Sequence, residues 1–165
     1  MEFGSGASTF FFSLRCEKLI SFEHDESWYK VVKGTLDANN INNVQYHLLP
    51  RPYSEFVPDI IESTGESDFS IISIDGRDRV LCLKKCLELN LLGSRGIFLL
   101  DNTERVSGQS KQYAEYISIL KNDFNLIHFE QITPIDRTGW KAPHRWITTI
   151  AYAKNLEFTS KGFLL

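Results

Sequence analysis

Two glycines stand near the start of the chain in Glu2-Phe3-Gly4-Ser5-Gly6-Ala7-Ser8-Thr9, and an apolar, helix-compatible stretch runs on to Leu14. Paired glycines ahead of a helix let backbone approach a ligand closely, and the helix start offers free amide donors to a carboxylate or a phosphate. Turns need glycine too, so the pair alone does not specify a ligand. A second group narrows the choice. Glu23-His24-Asp25 ends the next predicted strand roughly twenty residues on, where an acidic side chain can accept both hydroxyls of a ribose. Glycine loop and acidic strand end together point to a nucleoside-containing ligand, a logic that NAD binders share.

Oxygen donors gather at two later strand ends. Asp75 closes the predicted strand Phe69 to Ile74, and Asp101-Asn102 closes Ile97 to Leu100. In a parallel sheet both ends lie on the carboxyl edge, where such sheets bind ligands. Two carboxylates and an amide oxygen are hard donors suited to Mg2+ or Ca2+. Strand-end Asp and Asn also make turns and cap the helices that follow, and the residues alone leave both readings open. Within Asp75-Gly76-Arg77-Asp78-Arg79, Asp78 could take a proton, although an ordinary carboxylate pKa near ~3.9 makes a weak base. Arg77 and Arg79 could contact an anionic substrate or pair with carboxylates at a helix start.

The stretch E-F-G-S-G-A-S-T, with F-E-H-D-x-x-W after it, resembles the opening motifs of class I S-adenosylmethionine-dependent methyltransferases. The NAD fingerprint wants a third glycine or a small substitute where this chain has Thr9. The resemblance implies that Glu2, Gly4, Ser5, Gly6, Ser8 and Thr9 line the amino-acid end of S-adenosylmethionine. It also implies that Glu23 holds the ribose and that His24 flanks the adenosine. Asp75, Asp101 and Asn102 are similar to the metal ligands of catechol-type O-methyltransferases, which implies Mg2+ or Ca2+ and a catalytic part for Asp75. That family's general base is a lysine where this chain has Asp78. The implied activity is methyl transfer to a small molecule, at an oxygen. A non-catalytic binding module of the same fold, and an NAD or nucleotide-sugar enzyme, are the alternatives.

Positioning these groups requires an α/β frame. Short apolar runs at Leu19-Ile20-Ser21-Phe22, Val44 to Leu49, Phe69 to Ile74, Ile97 to Leu100, Leu126 to Phe129 and Trp146 to Ala153 read as strands. Most are apolar on both faces, as strands covered on both sides must be. Helical stripes fall between them: Trp28, Val31, Val32, Leu36; then Val80, Leu83, Leu87, Leu91; then Tyr113, Tyr116, Ile117, Leu120. Tyr53 to Ser63 reads as a shorter helix interrupted near Pro58. The alternation predicts a mainly parallel sheet in a three-layer, Rossmann-like single domain spanning 1–165. The resemblance adds an antiparallel final strand and a first strand of about five residues ahead of the glycine motif. Only Met1 precedes Glu2, so that strand is expected to be largely missing. Residues Thr133 to Arg145, with Trp140, Lys141 and His144, read as a loop able to cover a site.

Bulk properties exclude several classes of partner. The net charge is −3 and no run of lysines or arginines occurs, which argues against nucleic acid. No apolar run is long enough for a bilayer or a signal-peptide core, so a cytoplasmic protein is expected. Cys16, Cys82 and Cys86 lack CxxC spacing; Cys82 and Cys86 lie four apart on a predicted helix, as two small buried residues or as a metal pair. A small-molecule acceptor is the expected partner, with a homo-oligomer left open.

Overall fold

The computed structural model describes residues 1–104, 111–133 and 144–156. The elements run β1 (Glu2–Phe3), α1 (Ala7–Ser13), β2 (Leu19–Glu23), α2 (Glu26–Ala38), β3 (Val44–Leu48), a 3-10 turn (Tyr53–Glu55) and α3 (Val57–Thr64). Then follow β4 (Phe69–Ile74), α4 (Arg79–Glu88), β5 (Leu92–Leu100), α5 (Lys111–Asp123), β6 (Phe124–Thr133) and β7 (His144–Ala153). Seven strands form one sheet in the order β3-β2-β1-β4-β5-β7-β6. All neighbours are parallel except β7, which runs antiparallel to both β5 and β6. The expected α/β architecture, with its antiparallel final strand, is what forms.

The order reverses between β1 and β4. Right-handed crossovers that step outward from β1 on one side and from β4 on the other place their helices on opposite faces. Accordingly β2 is buried at all five positions. Phe3, Phe22, Tyr53, Ile72, Ile74 and Phe98 are fully enclosed in the core. A crevice must open above the sheet at such a reversal.

The central strand β1 has two residues, and it pairs with both neighbours: Glu2 opposite Ser21 and Ser73, Phe3 opposite Phe22 and Ile74. Met1 extends the link, because its amine donates to the Ile71 carbonyl at 2.8 Å and its carbonyl accepts from Ser73 N–H at 2.9 Å. Below it a groove of about 410 Å³ separates Leu19 from Phe69 and Ser70.

Past Phe3 the chain makes one contact that fixes the whole edge. Gly4 has φ +90°, and a Cβ built there would stand 2.5 Å from the Cα of Gly76. The Phe3 carbonyl accepts from both Asp75 N–H at 2.9 Å and Gly76 N–H at 2.6 Å. The loops after β1 and β4 therefore touch backbone to backbone; glycine is required at position 4, and a Cβ at Gly76 would stand a tight 3.0 Å from the Gly4 nitrogen. Gly6 differs: its backbone is extended at φ 162°, and a Cβ there would meet only the Trp28 ring at 3.8 Å.

Several local expectations are corrected. Trp28 and Val31 do not join the buried stripe of α2, being 46% and 56% exposed, whereas Val32 and Leu36 are buried. Asp25 caps that helix, accepting from Trp28 N–H at 2.9 Å, so Trp28 lies in its first turn. Pro58 does not interrupt a helix but sits in the first turn of α3, where its missing N–H leaves no bond unmade. Strand β5 starts at Leu92, earlier than expected; a Cβ built on Gly96 would stand 2.6 Å from the Phe69 carbonyl oxygen, so glycine admits this close approach to β4. Cys82 and Cys86 are buried and free, packing as small side chains. Among the described residues no helix is long and apolar enough to cross a membrane. Of the late loop, 134–143 lies outside the described residues, as do its Trp140 and Lys141 and the side chain of His144.

Two substitution pairs test this account by urea denaturation. Phe3→Ala removes a fully enclosed ring packed on Phe22 and Tyr53 and is expected to cost about 3–5 kcal/mol. Phe129→Ala, at a half-exposed position, should change stability by less than about 0.5 kcal/mol. Gly4→Ala is expected to cost roughly 2 kcal/mol or more, against less than about 1 kcal/mol for Gly6→Ala.

Candidate functional site

Glu2 builds the glycine loop from beneath. Its side chain is fully buried and accepts from three hydroxyls: Ser8 at 2.5 Å, Thr9 at 2.7 Å and Ser21 at 2.8 Å. Burial pushes its pKa up, and these bonds oppose the rise. Thr9 also accepts from Gly6 N–H at 2.9 Å. One carboxylate thus ties β1 to the first turn of α1 and to β2, leaving Ser5 at the apex of the loop.

Glu23, at the carboxyl end of β2, faces Ser5. One oxygen accepts from the Ser5 N–H at 3.2 Å and from its hydroxyl at 2.9 Å; the other accepts from His24 N–H at 2.8 Å and Asp25 N–H at 2.9 Å. Burial raises the Glu23 pKa, but these hydrogen bonds outweigh it and hold the group below its ordinary value. The Ser5 hydroxyl has a second partner in the Tyr46 hydroxyl at 2.5 Å. A ligand hydroxyl can therefore displace it from Glu23 without leaving it unpaired. The Trp28 indole N–H donates to the Ser5 carbonyl at 2.9 Å and closes the loop from the α2 side.

These groups converge. A cleft of about 510 Å³ opens at the sheet reversal, with Gly4, Ser5, Glu23 and His24 on one wall. Trp28 and Tyr53 line it as well, and Asp75, Gly76 and Arg77 form the wall above β4. Tyr53 is held by its hydroxyl, 2.9 Å from His24 Nδ1. Glu2, Gly6, Ser8 and Thr9 do not line the cleft; Glu2, Ser8 and Thr9 are the support of the loop rather than its surface.

The ends of β4 and β5 hold the remaining candidates. Burial, the charge of Asp101 and a hydrogen bond to it push the Asp75 pKa up to about 7, with Arg79 opposing. Asp78 is turned away from the cleft and clamped by Arg51, whose Nε and Nη2 donate to its two oxygens at 2.8 and 2.7 Å. That pairing holds the Asp78 carboxyl below its ordinary value, making it a poorer proton acceptor than its sequence position implied. Asp101 accepts from the Thr148 hydroxyl at 3.2 Å, and Asn102 is buried with φ +55°. Neither lines the cleft. Among the described residues no group of three His, Cys, Asp or Glu side chains is placed to hold a metal ion.

Sequence reasoning missed Trp28, Tyr53, Tyr46 and Arg51 as parts of this edge. Trp28 carried a signal, since an aromatic just past an acidic helix cap lies beyond the sheet edge rather than over it. Tyr46 within β3, and Arg51 and Tyr53 between β3 and α3, carried none, because no motif marks them.

No family model matches the chain, and no curated protein matches it. Solved structures do share its fold. The S-adenosylmethionine complex of the O-methyltransferase TomG from Streptomyces achromogenes, involved in tomaymycin synthesis, matches with a TM-score of 0.71 at 13% identity, over 92% of this chain and 72% of that one. An O-methyltransferase from Bacillus cereus in complex with S-adenosylhomocysteine matches at 0.70 and 14%, over 91% and 72%. An rRNA methylase from Streptococcus thermophilus matches at 0.67 and 13%, over 93% and 86%. The chain has the fold of the class I S-adenosylmethionine-dependent methyltransferases.

Proposed function

We propose that this chain is a cytoplasmic S-adenosylmethionine-dependent methyltransferase acting on an oxygen of a small molecule. The observation that carries this reading is the convergence of the Gly4–Ser5 loop and the Glu23 carboxylate in one cleft at the sheet reversal. Solved structures of the same fold contain S-adenosylmethionine or S-adenosylhomocysteine, which supports the choice of ligand. The net charge of −3 favours a small acceptor over RNA, and the free buried thiols suit a reducing compartment.

The bound cofactor supplies a methyl group activated on a sulfonium. Glu23 accepts the ribose hydroxyls in place of the Ser5 hydroxyl, which stays on Tyr46. Trp28 keeps the loop closed through the Ser5 carbonyl, and His24, set by Tyr53, borders the nucleoside. Asp75, across the cleft, is the carboxylate placed to take the proton of an acceptor hydroxyl; the oxygen would gain the methyl group as the methyl carbon–sulfur bond breaks and S-adenosylhomocysteine leaves. Positioning of acceptor and methyl in line provides much of the remaining rate.

Calorimetry and thermal melting test the reading. S-adenosylhomocysteine at about 100 times its Kd should stabilise the chain by roughly 2.7 kcal/mol, while NAD should not. Glu23→Ala is expected to weaken binding about tenfold to a hundredfold. Because the Glu23 pKa lies below 4.5, that contribution should be constant above this pH and be lost only as pH falls through the lower value. Asp75→Asn should cut kcat by roughly a hundredfold or more with affinity for S-adenosylhomocysteine retained. No stabilisation at saturating S-adenosylhomocysteine, or an equal effect of NAD, would sink the proposal.

A further inference from the structure

The oxygen donors that resemble a divalent-metal site already surround a cation. Arg79, only 9% exposed at the start of α4, directs its whole guanidinium into the gap between the ends of β4 and β5. Its Nε donates to the Gly76 carbonyl at 3.0 Å, and its Nη1 donates to the Asp101 carbonyl. Its Nη2 reaches the Asp75 carbonyl at 2.8 Å, Asp75 Oδ1 at 3.0 Å and Asn102 Oδ1 at 3.3 Å.

Each side chain of the resembled metal set is thereby engaged through one oxygen. Asp75 and Asn102 give oxygens to Arg79, and Asp101 gives Oδ1 to Thr148. A guanidinium cannot lose its charge at any ordinary pH. Mg2+ or Ca2+ drawing the same oxygens to about 2.0–2.6 Å would have to take them from Arg79 and would meet its fixed positive charge. The donor set does not fit a divalent ion while Arg79 is in place.

We infer that Arg79 is the permanent cation of this edge and that the chain binds no divalent metal at Asp75, Asp101 and Asn102. Arg79 is a positioning residue: it locks Gly76 and Asp75 against Asp101, and so holds the wall of the cleft opposite Glu23. The inference extends to the acceptor class, and there it rests on the methyltransferase reading. With no metal to chelate two neighbouring oxygens, the acceptor is defined by one nucleophilic oxygen opposite Asp75, and a vicinal diol has no advantage.

The test titrates the full chain with Mn2+, followed by the electron paramagnetic resonance signal of the free ion, with Mg2+ and Ca2+ as competitors. No saturable binding up to about 1 mM, or binding that survives Asp75→Asn unchanged, upholds the inference. Saturable Mn2+ binding that Asp75→Asn abolishes overturns it. The affinity for S-adenosylhomocysteine, measured with and without EDTA, should change less than twofold, and an EDTA-dependent loss of at least tenfold counts against the inference. Failure to bind S-adenosylhomocysteine under either condition bears on the methyltransferase reading alone, since the Mn2+ titration needs no cofactor.

Discussion

A carboxylate with no contact to water sits under the site, and the geometry above depends on how its charge is met. Burying Glu2 without partners would be very costly; three hydroxyl donors from α1 and β2 make the burial tolerable. Because those donors come from separate elements, satisfying one side chain sets the entry of α1, the register of β2 and the path of the loop between them. Ser5 then arrives at Glu23, and Gly4 arrives at Gly76. Removing the carboxylate would leave three hydroxyls, two of them on the buried Thr9 and Ser21, without this acceptor.

Charge on the cleft wall follows a similar economy. Glu23 is kept ionised by backbone N–H groups that cannot move away. Across the cleft, Asp75 is pulled in two directions, raised by burial and by Asp101 and lowered by Arg79. Two carboxylates with opposite shifts face each other over the same space. One is suited to permanent hydrogen-bond acceptance, and the other holds a proton more readily than an ordinary carboxylate.

What the sequence disclosed was local chemistry carried by regular elements. The glycine pair, Glu23 and Asp75 were legible because strand ends in a parallel sheet share one edge, so type and order suffice to bring them together. The roles within the glycine loop were less legible. Glycine's necessity at position 4 comes from Gly76, more than seventy residues later, and no local pattern shows it. Trp28 fitted a helical stripe by spacing, yet from the first turn of α2 it reaches the glycine loop instead of the sheet and stays 46% exposed. Asp78 and Arg79 are adjacent in sequence, but the turn into α4 sends one outward to Arg51 and the other inward. Periodicity cannot resolve a choice that one backbone turn makes.

Strand β1 is the seam between the two halves of the sheet. Everything on the β2–β3 side is joined to everything on the β4–β5–β7–β6 side, within the sheet, by two paired residues and the hydrogen bonds of Met1. The cleft stands directly over that seam, with Glu23 on one bank and Asp75 on the other. A molecule spanning both banks acts as a clasp, and its grip is felt along the length of the sheet.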